Sequence, residues 1–147
     1  MNEIFFKNLE NGKDLYKIKK ATKGSAGFDL LAALKDEIKL TPNSSTLVPC
    51  GFSLQMPEGF EAQVRPRSGL ALKNCVTVLN SPGTIDADYR GEIAAILINH
   101  GENDFIITRG MRIAQLVFIE LPNIQLVEND KLTKTDRGSG GFGSTGI

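Results

Sequence analysis

The chain has no tryptophan, one histidine and two cysteines in 147 residues, and its formal net charge is zero. Each shortage excludes something. A single histidine rules out a two-histidine metal site. His100 lies in the turn-like NHGEND, with nothing nearby to build a Ser-His-Asp triad, and reads as a surface loop residue. Cys50 and Cys75 form no C-x-x-C and no Cys/His cluster, so zinc and dithiol motifs are absent. Isolated cysteines of this kind are expected to be small buried apolar residues in a reducing compartment, and the expected location is cytoplasmic. Balanced charge argues against nucleic acid or a membrane surface as the main partner. Met1 to Tyr16 has scattered charge and no long apolar run, so it reads as neither signal peptide nor membrane span.

What is present fits one domain long enough to bury a core without metal or disulfide staples. Proline and glycine punctuate the chain at short intervals. Between them lie short β-branched or aromatic runs: TLVPCGFSLQM (46–56), CVTVLN (75–80), EIAAILIN (92–99), DFIITRG (104–110) and RIAQLVFIEL (112–121). That rhythm predicts an all-β sandwich or barrel. One short helix is expected, with Ser68 capping a turn through GLALKN and Asn74 ending it. LLAALKDEI (30–38) is compatible with helix by propensity and too short to decide.

The end of the chain differs from the rest. From Glu128 it turns polar, and Arg137 to Ile147 reads RGSGGFGSTGI, with five of the fifteen glycines. The expected division is a β domain over 1–127 and an arm over 128–147. Glycine is costly to order, so the arm should be mobile when empty. Bare amides, the Arg137 guanidinium and the hydroxyls of Ser144 and Thr145 suit phosphate oxygens, and Phe142 suits a base. GSGGFG (138–143) matches G-x-G-x-x-G, but a dinucleotide site needs a strand before it and a helix after it. A kinase loop needs its lysine strand and catalytic loop, and a Walker loop needs a lysine after the glycines. The tail therefore reads as a nucleotide lid.

Four upstream clusters also depart from ordinary turns. In SAGFDLLAA (25–33), Asp29 stands in an apolar run, where a carboxylate is costly unless paired; it could equally cap a turn. In VRPRSGLALKN (64–74), Arg67, Ser68 and Gly69 open the helix, where free amides and dipole favour an anion; Ser68 as a plain cap is the alternative. In NSPGTIDADYRGEI (80–93), a β-hairpin is expected with its tight turn at Ala87-Asp88. Two carboxylates, a tyrosine and an arginine crowd its tip. That is enough for a general base and a flat surface for a ring, although Asp86 also suits the first turn position. In GMRIAQLVF (110–118), Arg112 and Gln115 interrupt an apolar strand; an edge strand facing water would explain them too. Arginine's planar fork matches phosphate, and all six arginines lie at or after Arg65.

Taken in series, SAGFDL, RPRSGLA, GTIDADYRGEI, RIAQLVF and RGSGGFGSTG resemble the five motifs of the homotrimeric deoxyuridine triphosphatases, over residues 25 to 146. Phe28 stands where many relatives carry tyrosine. The resemblance implies an all-β jelly roll (β-clip-like) with one short helix and a mobile C-terminal arm. It also implies a homotrimer whose active sites are shared between subunits, the arm reaching over a neighbour's site.

The implied activity is hydrolysis of dUTP to dUMP and pyrophosphate. That keeps uracil out of DNA and supplies dUMP for thymidylate synthesis. Asp86 would be the general base for water attack on the α-phosphorus. Asn80, with backbone at Gly83, Thr84, Ile85 and Ala94, would read the uracil edge. Tyr89 would pack beneath the deoxyribose. Arg67, Ser68, Gly69 and Gln115 would hold phosphates, with Asp29 and Arg112 orienting them. Arg137, Phe142, Gly143, Ser144 and Thr145 would close over the substrate. Mg2+ would be held mainly by triphosphate and water, with no protein metal site. Two competing readings remain. A dCTP deaminase of the same fold would need an acid/base glutamate and a different loop from DADYRG. A non-catalytic trimeric scaffold would show a damaged Asp86 position or a missing tail, and both are intact.

Overall fold

The computed structural model describes residues 3–16 and 20–142. Among them the chain forms β1 (Phe5–Asn8), β2 (Phe28–Leu31), β3 (Ile38–Leu40), β4 (Ser45–Pro49), β5 (Phe52–Gln55) and β6 (Phe60–Arg65). There follow helix α1 (Ser68–Asn74), β7 (Val76–Val78), β8 (Gly83–Ile85), β9 (Ala94–Asn99), β10 (Phe105–Ile107) and β11 (Arg112–Glu120). The protein is an all-β jelly roll. A four-stranded sheet runs β2-β11-β6-β8 and a three-stranded one β4-β9-β7; β1-β5 and β3-β10 form antiparallel pairs.

Side chains alternate across each strand, so residues two apart share a face. In β9, Ala95, Leu97 and Asn99 are buried while Ala94, Ile96 and Ile98 are partly exposed. Leu30, Val48, Leu97, Ile107 and Ile113 are sealed in the core, each burial worth roughly 1.5–3 kcal/mol. Asn99 is as buried, and its side chain is satisfied. Nδ2 donates to the carbonyls of Leu40 (3.0 Å) and Asn103 (2.8 Å), while Oδ1 accepts from Gly101 N–H (2.8 Å).

Segment 30–38 is not helical. Leu31 N–H donates to Tyr16 Oη (3.0 Å), Ala32 N–H to Met111 O (2.9 Å) and Ala33 N–H to Pro49 O (2.8 Å). Tertiary pairing there takes the amides that a helix would need. The helix has the expected limits, but its N-cap is Arg67, without a side-chain cap bond. Ser68 is therefore inside the helix and does not cap it. Cys75 also departs from expectation. It ends α1 in the left-handed conformation (φ 55°) and is exposed, while Cys50 is buried. β11 lies between β2 and β6, so Gln115 is on an interior strand and the edge-strand alternative is excluded.

The N-terminal segment is pinned by aromatic packing. Phe6 stacks on Phe52 (4.6 Å between centroids), and Tyr16 meets Phe52 edge-on (5.0 Å). No helix among the described residues is long and apolar enough to cross a membrane.

Candidate active site

β8 pairs with β6, placing Gly83 opposite Val64 and Ile85 opposite Ala62. After Ile85 the chain turns, with Tyr89 N–H donating to Asp86 O at 3.2 Å. It then leaves the sheet. Ile93 N–H donates to Phe52 O (2.8 Å), Cys50 N–H donates to Ile93 O (2.9 Å), and β9 joins β4 and β7. The expected β-hairpin is therefore absent, because burial of Ile93 draws the return limb into the other sheet. Residues 86–92 instead span the gap between two sheets.

That gap holds a cleft of about 230 Å³. Asn80, Gly83, Thr84, Ile85, Asp86, Tyr89 and Ala94 all line it, so seven residues singled out from sequence meet at one place. Asp86 is exposed at its rim. A Cβ on Gly83 would lie 3.3 Å from both Asn80 Nδ2 and Val64 Cβ, so glycine lets the Asn80 amide lie close to the strand backbone. A Cβ on Gly91 would collide with the Tyr89 ring, which rests on the bare backbone there. Tyr89 Oη donates to Glu92 O at 3.1 Å, and the residue is 46% exposed. One ring face is thus supported and the side chain remains accessible from the cleft.

A second, polar groove is lined by Asp29, Arg67, Ser68, Gly69 and Gln115. Gln115 sits opposite Asp29 on β2 and Arg65 on β6. Asp29 is shared by two cations, with Oδ1 3.4 Å from Arg67 Nε and Oδ2 3.7 Å from Arg112 Nη1. Arg67 Nη1 also donates to Arg112 O (3.3 Å), and Gln115 Nε2 donates to Pro66 O (3.0 Å). Such part-exposed pairs add little stability. Their effect is to aim Arg67, with a hydroxyl and amides beside it, into the groove. That set suits an anion.

Two further sequence-predicted residues, Arg137 and Phe142, are elsewhere. Residues 121–139 are all exposed, and neither Arg137 nor Phe142 lines either groove. Arg137 Nε donates to Gly140 O at 2.9 Å, and Phe142 is fully exposed. Gly143, Ser144 and Thr145 lie outside the described residues.

Three residues that sequence reasoning passed over support the cleft from behind. Glu92 lines it, and Glu92 Oε1 accepts from Asn11 Nδ2 (2.7 Å) and Gly51 N–H (2.8 Å). Arg109 donates to the carbonyls of Asn11 (2.8 Å) and Lys13 (3.1 Å). The signal for Glu92 was available: it is a carboxylate leading an apolar run, as Asp29 is. Burial pushes the Cys50 thiol up to about 12, with the Glu92 charge adding to it. Burial likewise raises the Tyr16 phenol well above its ordinary range. Among the described residues, no three His, Cys, Asp or Glu converge as a metal site.

Comparison with known proteins bears on the family and the fold. A family model described as dUTPase matches residues 14–146. A deoxyuridine 5'-triphosphate nucleotidohydrolase of Rhizobium rhizogenes is 55% identical over 141 residues, covering 95% of this chain and 90% of the relative. Among solved structures, a Staphylococcus bacteriophage 80alpha dUTPase with dUpNHpp superposes with a TM-score of 0.88 at 24% identity, covering all of both chains. A mutant dUTPase of phage phi11 of S. aureus, solved with a structural Mg(II) ion, has a TM-score of 0.79 at 20% identity, covering 90% of this chain and 100% of that one. At those identities the phage proteins speak to the fold.

Proposed function

The chain belongs to the dUTPase family, and from that membership we propose that it hydrolyses dUTP to dUMP and pyrophosphate. The observation that carries the reading is the convergence of Asn80, the β8 backbone, Asp86, Tyr89 and Ala94 on one cleft. The β8 edge and the Asn80 amide offer the fixed donors and acceptors that a uracil edge requires. The Asn80 amide, packed close against Gly83, would exclude thymine's methyl. Tyr89, backed by Gly91, lies beneath the deoxyribose and leaves no room for a 2′-hydroxyl.

The reaction is an in-line displacement. Asp86 holds a water and takes its proton as the oxygen attacks the α-phosphorus. The bond from that phosphorus to the bridging oxygen breaks, and pyrophosphate leaves. Positioning of water against phosphorus supplies much of the gain, since an aspartate is a modest base. Arg67, Ser68, Gly69 and Gln115 hold the phosphate chain, with Asp29 and Arg112 setting the guanidinium of Arg67. Arg137 meets the γ-phosphate, Phe142 stacks on the uracil, and Gly143, Ser144 and Thr145 close the site. The reaction removes dUTP before it can enter DNA and yields dUMP for thymidylate synthesis.

Mg2+ fits this donor set as a companion of the substrate. The carboxylate in the phosphate groove, Asp29, already serves two arginines, and Mg2+ keeps most of its water. When bound to the triphosphate it supplies positive charge against the phosphate oxygens.

A homotrimer completes the site. Ile124, Leu126 and Val127, on the strand-free segment that leads from β11 to the arm, and Leu132 on the arm are 70–95% exposed. That density of wet apolar residues is unusual for a strand-free segment and supports its packing on another copy. The test is pyrophosphate release from dUTP, dTTP, dCTP and UTP with Mg2+. Selective release from dUTP is expected. Release without preference among the four would contradict the reading, as would ammonia from dCTP.

A further inference from the structure

We propose that Glu92 is a positioning residue that sets the discrimination between deoxyribose and ribose, and that Asn11, far away in sequence, is its anchor. The inference rests on the reading of Tyr89 as the surface beneath the sugar. Besides Arg90 Nη1, which donates to its carbonyl (3.0 Å), three contacts hold Tyr89: its N–H on Asp86 O (3.2 Å), its ring on Gly91, and its Oη on Glu92 O (3.1 Å). The third contact fixes the tip of the ring, the end able to swing. Its position is therefore only as well defined as the backbone of Glu92.

That backbone is tied down by its own side chain. Oε1 takes two donors, Asn11 Nδ2 across 81 residues and Gly51 N–H across 41. Bonds to a carboxylate are short and about twice as strong as neutral ones. Both donors are themselves fixed. Leu9 N–H donates to Gly51 O (2.9 Å), and a side chain on Gly12 would run into the Gly51 carbonyl, so the two backbones are in direct contact. Arg109 spans the carbonyls of Asn11, Lys13 and Leu34 (2.8, 3.1 and 3.2 Å). A continuous chain of contacts thus runs from the N-terminal segment to the tyrosine ring. On the proposed reading the ring leaves no room for a sugar 2′-hydroxyl, and a ring tip free to tilt would make room for it. The N-terminal segment thereby acquires a role in specificity.

A purely structural Glu92 would lower stability and leave selectivity alone, so the deciding readout is the ratio of kcat/KM for dUTP over UTP. It is measured on the intact trimer for wild type, Glu92→Ala, Glu92→Gln, Asn11→Ala, Tyr89→Phe and Tyr89→Ala. Glu92→Ala should lower the ratio about tenfold, and Asn11→Ala and Tyr89→Phe about fivefold each, the equivalent of one net hydrogen bond. Glu92→Gln keeps the Oε1 acceptor and should stay within about twofold of wild type. If Glu92→Ala does not fold, Asn11→Ala and Tyr89→Phe decide, since each removes a single bond. Wild-type ratios in those variants, with Tyr89→Ala relaxed, would overturn the inference and leave the site reading intact. A wild type inactive on dUTP, or an unchanged ratio in Tyr89→Ala, would overturn both.

Discussion

The loop over residues 86–93 and the strand-free segment after Glu120, which runs into the arm, are held by opposite means. Around the loop, hydrogen bonds span 41, 81 and 98 residues of sequence, and Gly83 and Gly91 have neighbours where a side chain would be. Beyond Leu121, every hydrogen bond among the described residues joins partners within three positions, and every residue from 121 to 139 is exposed. A base and a sugar must be told from close relatives, which needs groups fixed in advance. A triphosphate must be enclosed and then released, which suits a segment drawn from the low-stability end of the molecule. On the proposed function, the contrast would place specificity in the body and closure in the arm.

Three changes test that division. The largest effect should come from Asp86→Asn, which keeps the shape and removes the base. We expect kcat to fall about a thousandfold with dUTP binding retained. Near-normal turnover by stopped-flow would remove Asp86 from its role. Next is deletion of residues 137–147. Turnover should fall about a hundredfold, while the melting temperature and trimer mass stay as in wild type. Loss of folding on deletion would contradict the division.

The smallest effect is on stability at high pH and belongs to the body alone. The unfolded Cys50 thiol and Tyr16 phenol ionise near 9.0 and 10.0, whereas burial holds both protons on in the fold. The unfolded chain then binds fewer protons, so the stabilisation is full below pH 9 and is lost as pH rises toward 12. Melting temperature should fall by about several degrees over that window, equally in full-length and arm-deleted protein. A flat profile would mean that neither group is held as the structure indicates.

How much of this was legible in the sequence depended on distance along the chain. The strand runs, the limits of α1 and the membership of the cleft were readable because each motif is local: Gly83 to Tyr89 lie within a few residues of one another. The partner of β9 was not. GTIDADYRGEI has the residues of a hairpin, and only the core around Ile93 decides that its limbs part. Segment 30–38 is undecidable from local sequence for a similar reason, its amides taken by Tyr16, Met111 and Pro49. The buttress of Asn11, Glu92 and Arg109 joins residues up to 98 positions apart, and no local pattern reports it. Cys75 is exposed, not buried, because it takes the left-handed end of α1, a backbone feature that its apolar neighbours conceal.

The central claim is that a fixed cleft on one chain is closed by an arm from another. Mixing tests it directly. Full-length Asp86→Asn and a chain ending at Asp136 are unfolded together, refolded at equal ratio and assayed for pyrophosphate release from dUTP. Each alone should be nearly inactive. Closure between chains predicts recovery to about a quarter of the wild-type rate, because sites then form with an intact Asp86 and an arm from a neighbour. Closure within one chain predicts no recovery, and that result would contradict the account.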